Sequence, residues 1–387
     1  MNKVIYDNIH GTIPLPPTIV HCIDTPEFQR LREVKQLGAA SRVYPAATHT
    51  RFEHSIGVMH LAGRLAKHLG CNDQEILLCQ CAGLLHDVGH GPFSHVFDSL
   101  SPTTHEQRSC FIVRALHHQG ILTLDAQEVD TVCNIIQGNG TGALYEIVAN
   151  TRTGNDVDRW DYILRDAHAV GFQVNLDVRR LIYHSKVNTE GHVSFDYRVM
   201  DDLYEIYRLR RHLHKHVYAH PVVVAIEEMI RDVFRGDTVD ATAVDSVLYQ
   251  SSNPLVNRLH RRQLYTCDDI RHVHTLPGAL RDGDVYRKIS FGGNPYDIPF
   301  HGTVHRFQTE HVPKDTYVMF HLNKTTFHPP LPPPLGANSL IQTIQDNLWD
   351  LGGGEQFFRE CATIATLPTP GEAENEGAEQ DEEDLYD

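Results

Sequence analysis

The chain has 387 residues, 41% hydrophobic and 22% charged, with a formal net charge of −16. That balance suits a folded globular protein and excludes a low-complexity or collagen-like chain. It also argues against duplex nucleic acid as the main partner, since such binding is led by Lys and Arg contacts to phosphate. Nine of the acids fall within residues 371–387, which hold no basic residue, so basic patches elsewhere remain open.

No apolar run approaches the roughly 18 residues that a membrane helix needs. Met1-Asn2-Lys3-Val4-Ile5-Tyr6-Asp7 has neither the basic region nor the apolar core of a signal peptide. This points to the cell interior without separating nucleus from cytoplasm. The eight scattered cysteines then read as small buried thiols. Histidine is in excess at 27 residues, and it is both the commonest metal ligand and a proton carrier near neutral pH.

In chain order, Pro14, Pro16 and Pro17 predict an extended start over residues 1–25. Asp24-Thr25-Pro26-Glu27 opens a helix with Phe28, Leu31 and Val34 on its apolar stripe, leaving Gln29, Arg30, Arg32 and Lys35 on the polar side. A helix after Thr48–Ser55 carries Val58, Leu61, Ala62, Leu65 and Leu69 on one face. The next runs from about Gln74 into His86-Asp87-Val88-Gly89-His90-Gly91-Pro92-Phe93-Ser94-His95. Helices follow from Thr104, with Phe111, Ile112 and Leu116, and from Ala126, with Val129, Cys133 and Ile136. The helical pattern continues from Leu144 to about Arg165, and no strand ladder is expected in the first 140 residues.

Lys186-Val187 and His192–Phe195 around Gly191 predict a small hairpin. Leu203–Arg235 predicts one or two long helices, broken near His220-Pro221. Short strands are expected at 285–289, 303–307 and 316–320, then a Pro-rich spacer at 329–334, a helix at 338–350 and a disordered acidic tail. The expected architecture is mainly α: a helical core with a small β hairpin over 1–280, a short mixed α/β lobe over 281–363, and a tail over 364–387.

Adjacent His86 and Asp87 can hold a divalent metal if other ligands join them. His54, beside Arg51, and Asp158 are the candidates. Helical spacing puts Asp158, Tyr162 and Asp166 on one face, so a ligand, a phenol and a second carboxylate could look into one cavity. His90 and His95, taken alone, fit packed core histidines as well as they fit chemistry.

His54…His86-Asp87…Asp158 resembles the HD-domain phosphohydrolases. The flanking stretches Asp24–Arg32, Lys35–Gly38, Arg51–Ser55, His86–His95, Thr104–Gln107 and Asp156–Tyr162 look like the catalytic core of the SAM- and HD-domain dNTP triphosphohydrolases of animals. The resemblance spans about residues 3–265, and no SAM domain is expected with it.

This resemblance implies an HD-type helical core in which water attacks the α-phosphorus of a dNTP, giving a deoxynucleoside and inorganic triphosphate. It implies that His54, His86, Asp87 and Asp158 hold the metal, which polarises the phosphate and acidifies water. Fe, Zn, Mn or Ni suits that donor set, with Mg²⁺ at the phosphates. Arg51 and Arg159 would offset phosphate charge, though the family more often has lysine at 159. By the same resemblance His95, His105 and Asp98 move the proton to the departing oxygen, and His90 and Tyr162 lie against the phosphates. Gln36 and Asp166 would bind the 3′-hydroxyl, Leu37 and Tyr218 would exclude a 2′-hydroxyl, and Arg210 and His214 match phosphate- or sugar-side positions.

The resemblance further implies activation by GTP or dGTP at a site using Lys3, Val4, Asp24, Gln29 and Arg32, in a homo-oligomeric dimer or tetramer. An adjoining deoxynucleotide site would use Val43, Arg180, Arg198 and His220. There Tyr6 replaces an Asn, and Asp196 and Thr266 replace basic residues, which weakens that second site. Two other readings compete. One is an HD phosphohydrolase acting on another nucleotide, against which Arg51, Gln36-Leu37 and Tyr218 speak. The other is a single-stranded nucleic-acid-binding scaffold with a vestigial site, against which the acidic balance and the complete quartet speak.

Overall fold

Two antiparallel strands open the chain, where the prolines predict no ladder. In the computed structural model, which describes residues 3–273, 281–289, 298–301 and 316–328, β1 (Lys3–Asp7) pairs with β2 (Gly11–Leu15), Lys3 opposite Leu15. Alternation explains the pairing: Ile13 and Leu15 are buried while Thr12 and Pro14 face out. A helix, α1 (Pro17–Ile23), follows at once. Pro17 takes its first position, where the missing N–H loses nothing, so this proline starts a helix rather than forbidding one.

The helix expected from Asp24 is shorter than its pattern. α2 (Pro26–Gln29), capped by the Thr25 hydroxyl, gives way to a 3₁₀ turn over Arg30–Glu33. Phe28, Leu31 and Val34 are buried as expected. Arg30 departs from the polar side and donates to the carbonyls of Val88 and His90, each at 2.7 Å. Burial, with Arg108 nearby, pulls its pKa down to about 10.

α3 (Arg51–His68) and α4 (Asp73–Leu85) form the central pair. Gly83 lets them touch, since a Cβ there would lie 3.0 Å from the Met59 backbone. The short α5 (His95–Asp98) precedes α6 (His105–His118) and α7 (Ala126–Gln137). Asn72, Thr104 and Asp125 each accept the N–H three residues on, which fixes the starts of α4, α6 and α7. Phe111 is 74% exposed, against expectation, and Cys110 and Val113 fill the inner face of α6 instead.

The pattern from Leu144 is also interrupted. A 3₁₀ turn over Ala143–Glu146 leads to a loop, and α8 (Val157–Ala169) starts only after Asp156. The Asp156 carboxylate accepts from Asn150 N (3.0 Å) and Arg159 N (2.9 Å), closing the loop and capping the helix. After α9 (Val178–Tyr183) come β3 (Ser185–Val187) and β4 (Val193–Asp196), the expected hairpin. α10 (Met200–Leu213), a π turn over His214–Tyr218 and α11 (Pro221–Gly236) give the two long helices broken near Pro221.

Beyond α12 (Pro254–His260), β5 (Leu264–Val273) and β6 (Asp284–Ile289) flank β8 (Thr316–His328) in an antiparallel sheet, and β7 (Phe300–His301) pairs parallel with β4. β5, ahead of residue 280, thus pairs with a strand well beyond it. The described residues all belong to one compact unit, Met1–Pro329. The expected strand at 303–307, the Pro-rich spacer, the helix at 338–350 and the acidic tail lie outside the described residues.

One apolar cluster joins α3, α4, α6, α7, α8 and α10 and includes the fully buried Trp160, whose Nε1 donates to Asn155 Oδ1 at 2.7 Å. A second joins α11 and α12 to the β5–β8–β6 sheet. The seven described cysteines are free thiols, five of them buried. No described helix is long and apolar enough to cross a membrane.

The α3–α4 contact sets the spacing of the groups described next. Replacing Gly83 with Val inserts a branched side chain against the Met59 backbone. We expect a loss of about 1–3 kcal/mol in urea denaturation, as overpacking typically gives, together with a loss of divalent-metal uptake. Unchanged values of both would contradict the close contact.

Candidate functional site

Three helices bring the expected metal quartet together. His54 stands on the first turn of α3, His86 and Asp87 follow the last turn of α4, and Asp158 stands on the first turn of α8. His54 Nε2 lies 3.0 Å from Asp158 Oδ1 and 3.6 Å from Asp87 Oδ2. His86 Nε2 lies 3.4 Å from Asp87 Oδ1 and 3.5 Å from Asp158 Oδ1.

Each imidazole is tied through its other nitrogen. His54 Nδ1 bonds Asp161 Oδ2 at 2.7 Å, and His86 Nδ1 lies 2.9 Å from the Gly83 carbonyl. A carbonyl can only accept, so Nδ1 of His86 carries a proton, and in the neutral ring that a metal takes Nε2 is the nitrogen with the lone pair. That Nε2 is buried and has no hydrogen-bond partner. Ligand atoms of His54, His86 and Asp87 lie within 4.8 Å of one another. An orphaned lone pair, two imidazoles held from behind and two carboxylates fit a first-row divalent ion.

Burial would raise Asp87, but Arg51, His86 and His90 hold it well below the usual carboxylate range. Arg51 pairs directly with Asp87, and its Nε donates to Ser94 Oγ at 2.7 Å. Asp158, part-exposed toward the cavity, is likewise held low, against partial desolvation, by hydrogen bonds to His54 and His86.

The expected proton-transfer set gathers beside the quartet. His90 and His105 stack with centroids 3.9 Å apart, and His95 meets His90 edge-on at 5.3 Å. Asp98 Oδ2 bonds His105 Nδ1 at 3.0 Å and lies 3.6 Å from His95 Nδ1. Arg108 also pairs with Asp98. Burial, with Arg51 and His105 close by, holds His90 well below its ordinary value, so it is neutral.

A cavity of about 520 Å³ opens over both groups. Gln36, Leu37, Arg51, Arg159, Tyr162, Asp166, Arg210, His214 and Tyr218, all expected at the substrate, line it together with His54, Asp87, His90, His95, His105 and Asp158. Arg210 bonds the Tyr162 hydroxyl, and Tyr218 donates to Asp166 Oδ2 while His49 Nε2 sits 2.8 Å from Asp166 Oδ1. Burial beside Arg210 lowers His214 to about 3. The buried Gln36 Oε1 has no hydrogen-bond partner.

The expected regulatory residues form pairs at the surface. Lys3 bonds Asp24 at 3.0 Å, and Arg32 donates to Gln29 at 2.9 Å while lying 3.5 Å over the Phe52 ring. Val4 beside Lys3 is 59% exposed. Arg180 pairs with Asp202 and donates to the Arg198 carbonyl at 2.6 Å. Arg198 is engaged by Asp196 at 2.8 Å. His220 packs edge-on against Tyr44, the neighbour of Val43. Thr266 Oγ1 donates to Asp268 at 3.1 Å.

Several residues of the site escape sequence reasoning. Asp161 is one, although it stands three residues after Asp158. Glu227, Arg231, Arg287 and Lys288 also line the cavity, from α11 and β6. Asp245 is a third case with no local signal. Its carboxylate accepts from Phe93 N (2.7 Å) and Lys35 N (3.1 Å). It thereby fixes the turn in which Phe93 and Ser94 both adopt positive φ (55° and 54°), a strained conformation for residues with a Cβ.

The HD domain family matches residues 51–166. The human deoxynucleoside triphosphate triphosphohydrolase SAMHD1 is 38% identical over 298 residues, 65% of this chain and 48% of that protein. The SAMHD1 homolog of Dictyostelium discoideum is 38% identical over 252 residues, covering 60% and 49%. An HD domain-containing protein of Acanthamoeba polyphaga mimivirus is 35% identical over 262 residues, covering 60% and 57%. The chain spans about half the length of the curated relatives it matches.

Burial raises the Asp245 carboxyl from 3.8 to about 6. Because the folded value exceeds the unfolded one, its stabilising contribution is full below pH 3.8 and is lost as pH rises through 6. Wild-type protein should therefore gain about 1 kcal/mol relative to Asp245→Asn between pH 7 and pH 5. Denaturant titration of both proteins at the two pH values measures it. A difference that does not move with pH would contradict a buried, proton-retaining Asp245.

Proposed function

We propose, on the premise that this chain carries a SAMHD1-like HD core, that it hydrolyses deoxynucleoside triphosphates to a deoxynucleoside and inorganic triphosphate. The observation that carries this reading is one cavity lined by the acids of the metal quartet, by Arg51, Arg159 and Arg210, and by the Asp166–Tyr218 pair. Asp166 lies two turns beyond Asp158, about 12 Å along α8, so the quartet and the Asp166–Tyr218 pair stand at separate places along one cavity.

Arg51, Arg159 and Arg210 offset the charge of a triphosphate, which an in-line displacement at phosphorus requires. Neutral His90 hydrogen-bonds a phosphate oxygen without adding charge, and the Tyr162 hydroxyl is held by Arg210 for the same purpose. A divalent ion held by His54, His86, Asp87 and Asp158 would supply Lewis-acid polarisation of a phosphate oxygen and a more acidic water.

His95, half-ringed by Asp98 and His105, gives the proton to the departing 5′ oxygen. The 3′-hydroxyl donates its one proton to Gln36 Oε1 or to Asp166, and the unpartnered Gln36 oxygen supports such a donor. Leu37 and Tyr218, which line the cavity, would exclude a 2′-hydroxyl.

Activation by a guanine nucleotide belongs to the same reading. Asp24 and Gln29 suit the guanine edge, while Lys3 and Arg32 suit its phosphates. Their mutual pairs are exposed, so exchanging them for a ligand costs little. A surface site of this kind is completed by a second copy of the chain, in a dimer or tetramer. The Asp196–Arg198 pair neutralises a cation that a second activator would need, which supports a single activating nucleotide.

The test is product analysis with Mn²⁺ or Mg²⁺ and dGTP, dATP or GTP. Triphosphate and deoxynucleoside should appear from dNTPs, and Asp87→Ala should lower turnover by at least a factor of about 10³, the scale of losing electrostatic stabilisation at the reacting centre. Release of pyrophosphate or orthophosphate, or full activity in Asp87→Ala, would refute the reading. Turnover of dATP should rise on adding GTP, and equal rates with and without it would remove the activator while leaving the hydrolysis.

A further inference from the structure

Behind the metal-ligand cluster runs a buried chain of charged groups that the proposed reaction does not use. Asp161 is its hub. Its Oδ2 bonds His54 Nδ1 (2.7 Å) and Arg165 Nε (2.9 Å), and its Oδ1 bonds His10 Nε2 (2.6 Å) and Arg165 Nη2 (3.0 Å). Arg165 reaches on to Asp7, Nη1 to Oδ2 at 2.9 Å. The other oxygen of Asp7 accepts from the backbone N–H groups of Ile9 and His10, each at 2.8 Å, and so fixes the turn that carries His10.

Burial makes this chain demanding. The side chains of His10 and Asp161 are 4% and 0% exposed, so a partner lost here is not replaced by bulk water. Gly57 on α3 provides the room: a Cβ there would fall 1.9 Å from Asp161 Oδ1 and 2.6 Å from Arg165 Nη2. Four of the five groups are held by rigid helices or by one another. The fifth, His10, comes from the turn between β1 and β2, far upstream in sequence.

We propose that His10, held by Asp7, is a positioning residue for the metal ligand His54, so that the N-terminal hairpin is coupled to metal affinity. A carboxylate offers two oxygens, and each must be committed for the group to keep one orientation. His10 and Arg165 hold Oδ1, which leaves Oδ2 directed at His54 Nδ1. That bond sets the ring plane and turns Nε2 toward Asp87 and Asp158. Without His10, Asp161 has Arg165 as its only fixed partner at Oδ1, and the His54 ring loses its stop. The inference rests on the metal reading given above.

The measurement is Mn²⁺ titration by calorimetry on the full chain without nucleotide, for wild type, His10→Ala and His10→Gln. The Ala change should weaken Mn²⁺ binding about tenfold, the lower end of the range for groups behind a ligand. The Gln change, whose amide N–H reaches the place of the Nε2–H, should restore most of it. The rise in melting temperature caused by Mn²⁺ should shrink in the Ala protein, which a purely structural role of His10 would not bring about. If His10→Ala fails to fold, Asp7→Asn gives the same comparison with the same expected weakening. A folded Ala or Asn variant with wild-type affinity overturns the coupling and leaves the metal site standing. Wild-type protein that takes up no Mn²⁺ overturns both.

Discussion

Ionisable groups cannot be kept from water at a helix junction unless each is compensated, and the requirement at His54, His86 and Asp87 organises the rest of this protein. Uncompensated, each charge there would cost several kcal/mol. Arg51 answers Asp87, Asp161 answers His54, and the Gly83 carbonyl answers His86. The glycines follow from the same need. Gly83 brings α3 and α4 close enough for His54 and His86 to converge, and Gly57 makes space for Asp161 and Arg165. Even the loop after His86 is held from outside, by Arg30 on two of its carbonyls and by Asp245 on the Phe93 N–H.

The parts of this arrangement that lie within one helical turn or one short motif are legible in the sequence. Asp158, Tyr162 and Asp166 share a face because four-residue spacing dictates it, and they line the cavity together. The starts of α2 at Thr25 and of α6 at Thr104 read as such for the same local reason. What escapes is set by contacts distant in sequence. Nothing near His10 tells that it meets Asp161, and nothing near Asp245 tells that it fixes a turn around Phe93. The β1–β2 hairpin is obscured by its prolines, because Pro14 sits on an outward-facing position where alternation and not propensity decides. Phe111 shows the opposite error, an apolar residue that helical spacing assigns inward and packing leaves outside.

The cavity also reaches past the resemblance on which its expected lining rests. Val223, Glu227 and Arg231 follow one another at four-residue intervals along α11 and form one wall. Arg287 on β6 closes on Glu227 at 2.5 Å, so the antiparallel sheet after residue 264 takes part in the site. One end of the cavity is therefore built from local helical motifs. The other is built from a sheet whose strands are joined across long stretches of chain.

The central claim, proposed above, is that water attacks the α-phosphorus of a triphosphate whose charge the arginines offset, beside a divalent ion that the quartet would hold. Hydrolysis of dGTP in ¹⁸O-labelled water, followed by mass spectrometry of both products, tests it most directly. The account predicts one ¹⁸O in the inorganic triphosphate and none in the deoxynucleoside. Label in the deoxynucleoside, or in orthophosphate or pyrophosphate released in place of triphosphate, would contradict it.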